Sequence, residues 1–176
     1  MEPIFGDSYK LKWNVKGDSK TVCVVHNYSI DKEYCRTIKI INDDKKMKEI
    51  NMRFIVYSWN EIGPFIMVSD DFLSFPKKFQ EGAIWHEVGH IYHEHYLKDT
   101  SQNQEEMQEM RLTAILANDV AVFEKEADDF AVSKIGSETI IQFLKICHAT
   151  RPVDSTINDL GKLELELRIK RLGGKL

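Results

Sequence analysis

The chain has 176 residues, 43% of them hydrophobic and 30% charged, with a formal net charge of −4. That length suits one domain over 1–176 and buries a core without covalent staples. The mild acidic balance gives no electrostatic footprint for nucleic acid, and no apolar run approaches the ~20 residues that cross a bilayer.

Met1–Gly6 lack the basic and apolar parts of a signal peptide, so a soluble cytoplasmic protein with no membrane partner is the expectation. Three cysteines, Cys23, Cys35 and Cys147, show no CxxC spacing and read as reduced thiols, with a Cys23–Cys35 bridge left open. The first 73 residues carry strand signals. Thr21–Val25 is a β-branched run, Arg36–Ile41 alternates, Met52–Ser58 is rich in Phe, Ile, Val and Tyr, and Ile66–Ser69 follows Gly63-Pro64. Asn42-Asp43-Asp44 reads as a turn.

From about 76 to 172 the pattern is helical. Ser74 is the expected cap of a helix from Pro76 to about Lys98. A second helix is expected from about Ser101 to Ile135, a third from Ser137 to His148, and a last from about Thr156 to Leu172. The polar stretch Asp99–Gln108 is a lid or a loop. Strands first and helices afterwards predict an α+β fold with a mixed or antiparallel sheet of about four strands.

The first helix carries His86-Glu87-Val88-Gly89-His90. Histidines at i and i+4 lie about 40° apart, so both imidazoles can reach one cation, and Glu87 falls beside that cation rather than on it. From there Glu87 can act as the base toward a water made acidic by the metal. An HExxH arises by chance in roughly two of a hundred such chains. Here, however, Ala83, Ile84, Trp85, Val88, Ile91 and Tyr92 wrap the helix in apolar residues, and buried histidines need a partner.

A third ligand is required. His93 lies about 10.5 Å from His86 along a helix axis, too far to share one ion, and reads as a core histidine. On continuous helical geometry His95 faces away from His86. Val120, Phe123, Ala127, Phe130 and Ala131 form an apolar stripe with Glu124 at its centre, where an unpaired carboxylate is costly. Glu124 is therefore the expected ligand. Asp128, one turn on, is placed to orient a ligating histidine.

These residues resemble the M48 metallopeptidases, and more closely their small soluble relatives, the minigluzincins. The HExGH with a histidine five residues later stands as His86–His90 with His95, and the ExEAD motif with its aromatic and Ala stands as Glu124–Ala131. A closing Arg-Ile-x-x-Leu stands as Arg168–Leu172. The resemblance covers about Phe65–Leu172 and implies a zincin-like fold, one Zn2+ on His86, His90 and Glu124, and hydrolysis of peptides or proteins. It also makes Ile66, Met67, Val68 and Ser69 an edge strand along which a substrate would lie. The family's His-Pro is absent, so the oxyanion-stabilising residue is open among His148, Arg151 and Arg168. The alternative is a regulatory zinc-binding module without turnover, against which the intact Glu87 weighs.

Overall fold

The computed structural model describes residues 11–12, 22–26, 37–50, 52–60, 63–95, 101–152 and 156–176. Cys35 and the first part of the Asp99–Gln108 stretch lie outside them. The fold is α+β, and the chain divides into two compact units, 1–74 and 75–176.

The first unit is a five-stranded mixed sheet. Its strands are β1 (Leu11–Lys12), β2 (Val22–His26), β3 (Thr37–Asn42), β4 (Ile55–Asn60) and β5 (Gly63–Val68), ordered β1-β2-β3-β5-β4. All neighbours are antiparallel except β3 and β5, which run parallel. Ile38 and Ile40 on β3 and Ile66 and Val68 on β5 are buried at the two-residue period of a strand. Helix α1 (Asp44–Glu49) buries Met47 and starts at Asp43, whose carboxylate accepts the Lys46 N–H at 3.0 Å. The Asn-Asp-Asp signal is thus a helix start rather than a turn, because the residues that cap helices also make turns.

The expected substrate edge at Ile66–Ser69 is not an edge. β5 is paired on one side with β3 through Phe65–Val68 and on the other with β4 along its whole length. The backbone of Ile66, Met67 and Val68 is therefore committed to the sheet and has no free row for a substrate. Ser69 has left the strand and caps α2 (Asp70–Leu73): its hydroxyl accepts the Phe72 N–H at 3.2 Å and donates to the Arg53 carbonyl at 2.6 Å. Among the described strands the edges are β1 and β4.

The second unit holds α3 (Lys77–Tyr92), α4 (Ser101–Leu116), α5 (Val122–Ile135), α6 (Ser137–Thr150) and α7 (Thr156–Arg171). α3 is its centre, buried continuously from Gly82 to Ile91, with α5 and α6 packed on it and α7 packed on α6. Ser74 does not cap α3. It closes α2, donating its hydroxyl to the Asp71 carbonyl at 2.6 Å, and Pro76 precedes the first turn of α3.

Two expected helices end early, each at a left-handed residue. α3 stops at Tyr92 because Glu94 takes φ 57°, with the His95 N–H on the His90 carbonyl (3.0 Å) and the Glu94 N–H on that of Ile91 (3.2 Å). Asn118 (φ 55°) breaks the expected 101–135 helix in the same way, through Asp119 to Ala114 and Asn118 to Ile115, both 2.9 Å. Both are Schellman ends made without glycine. No described helix is long and apolar enough to cross a membrane.

Among the glycines described, the closest approach to another helix's backbone is at Gly89. A Cβ there would sit 2.8 Å from both the Cα and the carbonyl oxygen of Ala127 on α5. Gly89→Ala gains about 1 kcal/mol of helix propensity but must push apart two backbones, an overpacking cost of about 1–3 kcal/mol. We expect the variant to melt lower than wild type. An unchanged melting midpoint would show that α5 yields freely.

Candidate metal centre

α3 supplies two imidazoles and α5 one carboxylate, all three side chains buried. His86 Nε2 and His90 Nε2 are 3.1 Å apart, and Glu124 Oε2 lies 3.3 Å from the first and 3.8 Å from the second. Ligands about 2.0–2.1 Å from a tetrahedral zinc stand about 3.3 Å from one another. The triangle therefore has the right size. Glu124 Oε2, the oxygen facing both nitrogens, has no well-directed hydrogen bond among the described residues, although Arg168 Nη1 is 3.0 Å away. A buried carboxylate oxygen set between two imidazole nitrogens is what a cation satisfies. His86, His90 and Glu124 can hold a metal ion.

The other nitrogen of each histidine is also held. Asp128 Oδ1 lies 3.0 Å from His86 Nδ1, and Asp128 is itself fixed by Arg168, with Nη2 at 2.6 Å from Oδ1 and Nε at 2.9 Å from Oδ2. His90 Nδ1 meets His95 Nδ1 at 2.9 Å, and His95 Nε2 meets Glu126 Oε2 at 2.8 Å. Partners on Nδ1 leave Nε2 for a metal and fix the ring planes.

The charges follow from burial set against neighbours. Burial and Arg168 push the His86 imidazole down, but its hydrogen bonds to Asp128 and Glu124 prevail and hold it at about 9. Burial dominates at His90 and drives it well below the usual histidine range. The Glu124 carboxyl is held well below its usual range, because Arg168 and the two histidines outweigh its burial. Burial, with the charge of Glu124, raises the Glu164 carboxyl. In the metal-free protein one proton thus rides on His86, and a divalent ion would displace it.

Asp128 carries the clearest pH signature. Burial opposes its ionisation, yet Arg168 and His86 bring its carboxyl to about 2. A depressed carboxylate contributes stability above its unfolded value near 3.8 and loses it as pH falls through about 2, here about 2 kcal/mol. Melting midpoints of the metal-free protein should fall between pH 4 and 2, and fall less steeply in Asp128→Asn. Parallel curves for the two proteins would remove Asp128 from the acid transition.

Comparison with protein-family models, curated proteins and solved structures finds no match.

Of the three oxyanion candidates, the structure brings only Arg168 to the ligands. His148 pairs with Glu166 at 3.0 Å, and Arg151 lies against Gly161 of α7, where a Cβ would meet its Nη1 at 2.1 Å. Cys147, on α6 next to His148, has its thiol pushed up to about 12 mainly by burial. Two histidines depart from the sequence reading. His93 is exposed and caps α3 rather than sitting in a core. His95 does not face away: the left-handed turn at Glu94 folds it back onto His90. Sequence reasoning also missed Arg111 and Glu164. Arg111 Nη2 donates to Glu124 Oε1, and its Nε lies 2.9 Å from Glu164 Oε1. The one trace of Glu164 in the sequence is an acid between Leu163 and Leu165 on an amphipathic helix.

Proposed function

We propose that this protein is a zinc-dependent peptidase of the gluzincin kind, with a zincin-like architecture, hydrolysing peptide bonds in peptide or protein substrates. The observation that carries the reading is the buried triangle of His86, His90 and Glu124 with Glu87 next to it on the same helix. Two imidazoles and one carboxylate are a donor set suited to zinc that leaves a coordination position open. A divalent ion also suits the local charge, since the three carboxylates of Glu124, Asp128 and Glu164 face the two guanidiniums of Arg111 and Arg168.

Zinc held there would polarise the scissile carbonyl and make water acidic near neutral pH. Glu87 would take the proton of the attacking water and return it to the leaving amine nitrogen. Asp128 and His95 would keep Nε2 of each histidine free of protons and aimed inward. Arg168 lies 3.0 Å from Glu124 Oε2 and 3.3 Å from the ring nitrogens of His86, and its hydrogen bonds to Asp128 make it first a support for His86.

Glu87→Gln tests the reading. It should keep wild-type zinc content and lose about 10²–10⁴-fold in hydrolysis of a peptide library followed by mass spectrometry. Cleavage at the wild-type rate would take Glu87 out of the chemistry. A wild type that holds zinc and cleaves nothing in the library would favour a binding role over turnover.

A further inference from the structure

The two oxygens of Glu124 are treated differently. Oε2 faces the Nε2 atoms of His86 and His90, while Oε1 accepts a hydrogen bond from Arg111 Nη2 on α4. Arg111 is itself ion-paired with Glu164 of α7, a buried acid whose Oε1 lies 2.9 Å from its Nε without a well-directed hydrogen bond, and its guanidinium lies over the Phe123 ring at 5.5 Å from the centroid. Exposed ion pairs contribute little, but here both acids are 3–5% exposed, so removing the shared cation leaves desolvated carboxylates behind. Among the described residues, α4 packs on α7, while Met110, Leu112 and Leu116 beside Arg111 stay exposed. Arg111 thus reaches Glu124 from α4.

We infer that Arg111, held by Glu164, is a positioning residue that occupies Oε1 of Glu124 and makes it a one-oxygen ligand. A free carboxylate can chelate a cation through both oxygens. With Oε1 taken by a guanidinium held in place by Glu164 and Phe123, Oε2 alone is presented at ligand distance from the histidines. The coordination number of the ion, and so the position left for water, is then set from α4 and α7, outside the two helices that carry the ligands. This rests on the zinc reading above.

Zinc affinity by chelator competition, and the visible absorption of the cobalt-substituted protein, test it on wild type, Arg111→Gln, Arg111→Lys and Glu164→Gln. Wild type should show the strong absorption of four-coordinate cobalt. Arg111→Gln should bind zinc about 10–100-fold more weakly and give the paler spectrum of a five-coordinate ion. Arg111→Lys should recover part of both, and Glu164→Gln should move both the same way by less. If Arg111→Gln does not fold, Glu164→Gln decides, since it leaves Arg111 in place but unanchored. Wild-type affinity and spectrum in both Arg111→Gln and Glu164→Gln would overturn the inference. So would a loss of affinity with an unaltered spectrum and no recovery by lysine, which marks a scaffold contact. A wild type that takes up neither metal defeats the zinc reading itself, and the inference falls with it.

Discussion

Glu124→Ala should leave the helical unit folded and strip it of zinc. On the proposed zinc reading the carboxylate is one of three ligands, and structural zinc sites draw about 10–16 kcal/mol from four, so one ligand is worth roughly two orders of magnitude or more in affinity. The fold survives because neither guanidinium is abandoned: Arg168 keeps Asp128 at 2.6 and 2.9 Å, and Arg111 keeps Glu164 at 2.9 Å. Elemental analysis after dialysis, with helical content by circular dichroism, reads both outcomes on one sample. Stoichiometric zinc retained in the variant would move the ligand role to another acid and break the triangle.

Arg168→Leu should have the largest effect on the metal-free protein. Its guanidinium is 6% exposed and is shared between Asp128 and Glu124. Removing one member of a buried charge group leaves the others uncompensated, at a cost of about 3–5 kcal/mol. For a unit of this size that is a fall in melting midpoint of more than about 10 °C. Zinc should recover part of the loss, because the ion supplies positive charge to Glu124. Arg171→Leu is the comparison: its near partner Asp129 is mostly exposed and it reaches the buried Asp128 only at 4.0 Å, so its loss should cost much less than that of Arg168. Equal shifts for the two variants would mean that Arg168 is not the centre of a desolvated network.

The grouping of His86, His90 and Glu124 is legible in the sequence because it follows from helical periodicity alone. Histidines four apart share a face, and a glutamate inside an apolar stripe announces a buried charge. Asp128 follows from the same spacing. What fails depends on chain reversals and on docking. Glu94 takes the left-handed conformation without being glycine, so nothing marks the end of α3 and His95 is assigned to the wrong side; Asn118, a residue that does favour that conformation, is a weak mark of the end of α4. The parallel pairing of β3 with β5 likewise has no local signature, and an apparent edge strand becomes an interior one. Arg111 and Glu164 lie on helices that meet only in the folded unit.

The spread of these residues along the chain ties metal affinity to folding itself. His86 and Arg168 meet across 82 residues, and Asp128 joins Arg168 across 40. No single helix, hairpin or short fragment contains the centre, so an unfolded chain offers an ion little beyond two nearby histidines. Occupancy then acts as ligand linkage on the whole cooperative unit, about 4 kcal/mol when free zinc stands a thousandfold above its dissociation constant. A cut anywhere between α3 and α7 that lets the pieces part would release the ion along with the fold, and chelation would show as a lower unfolding temperature before any change in secondary structure.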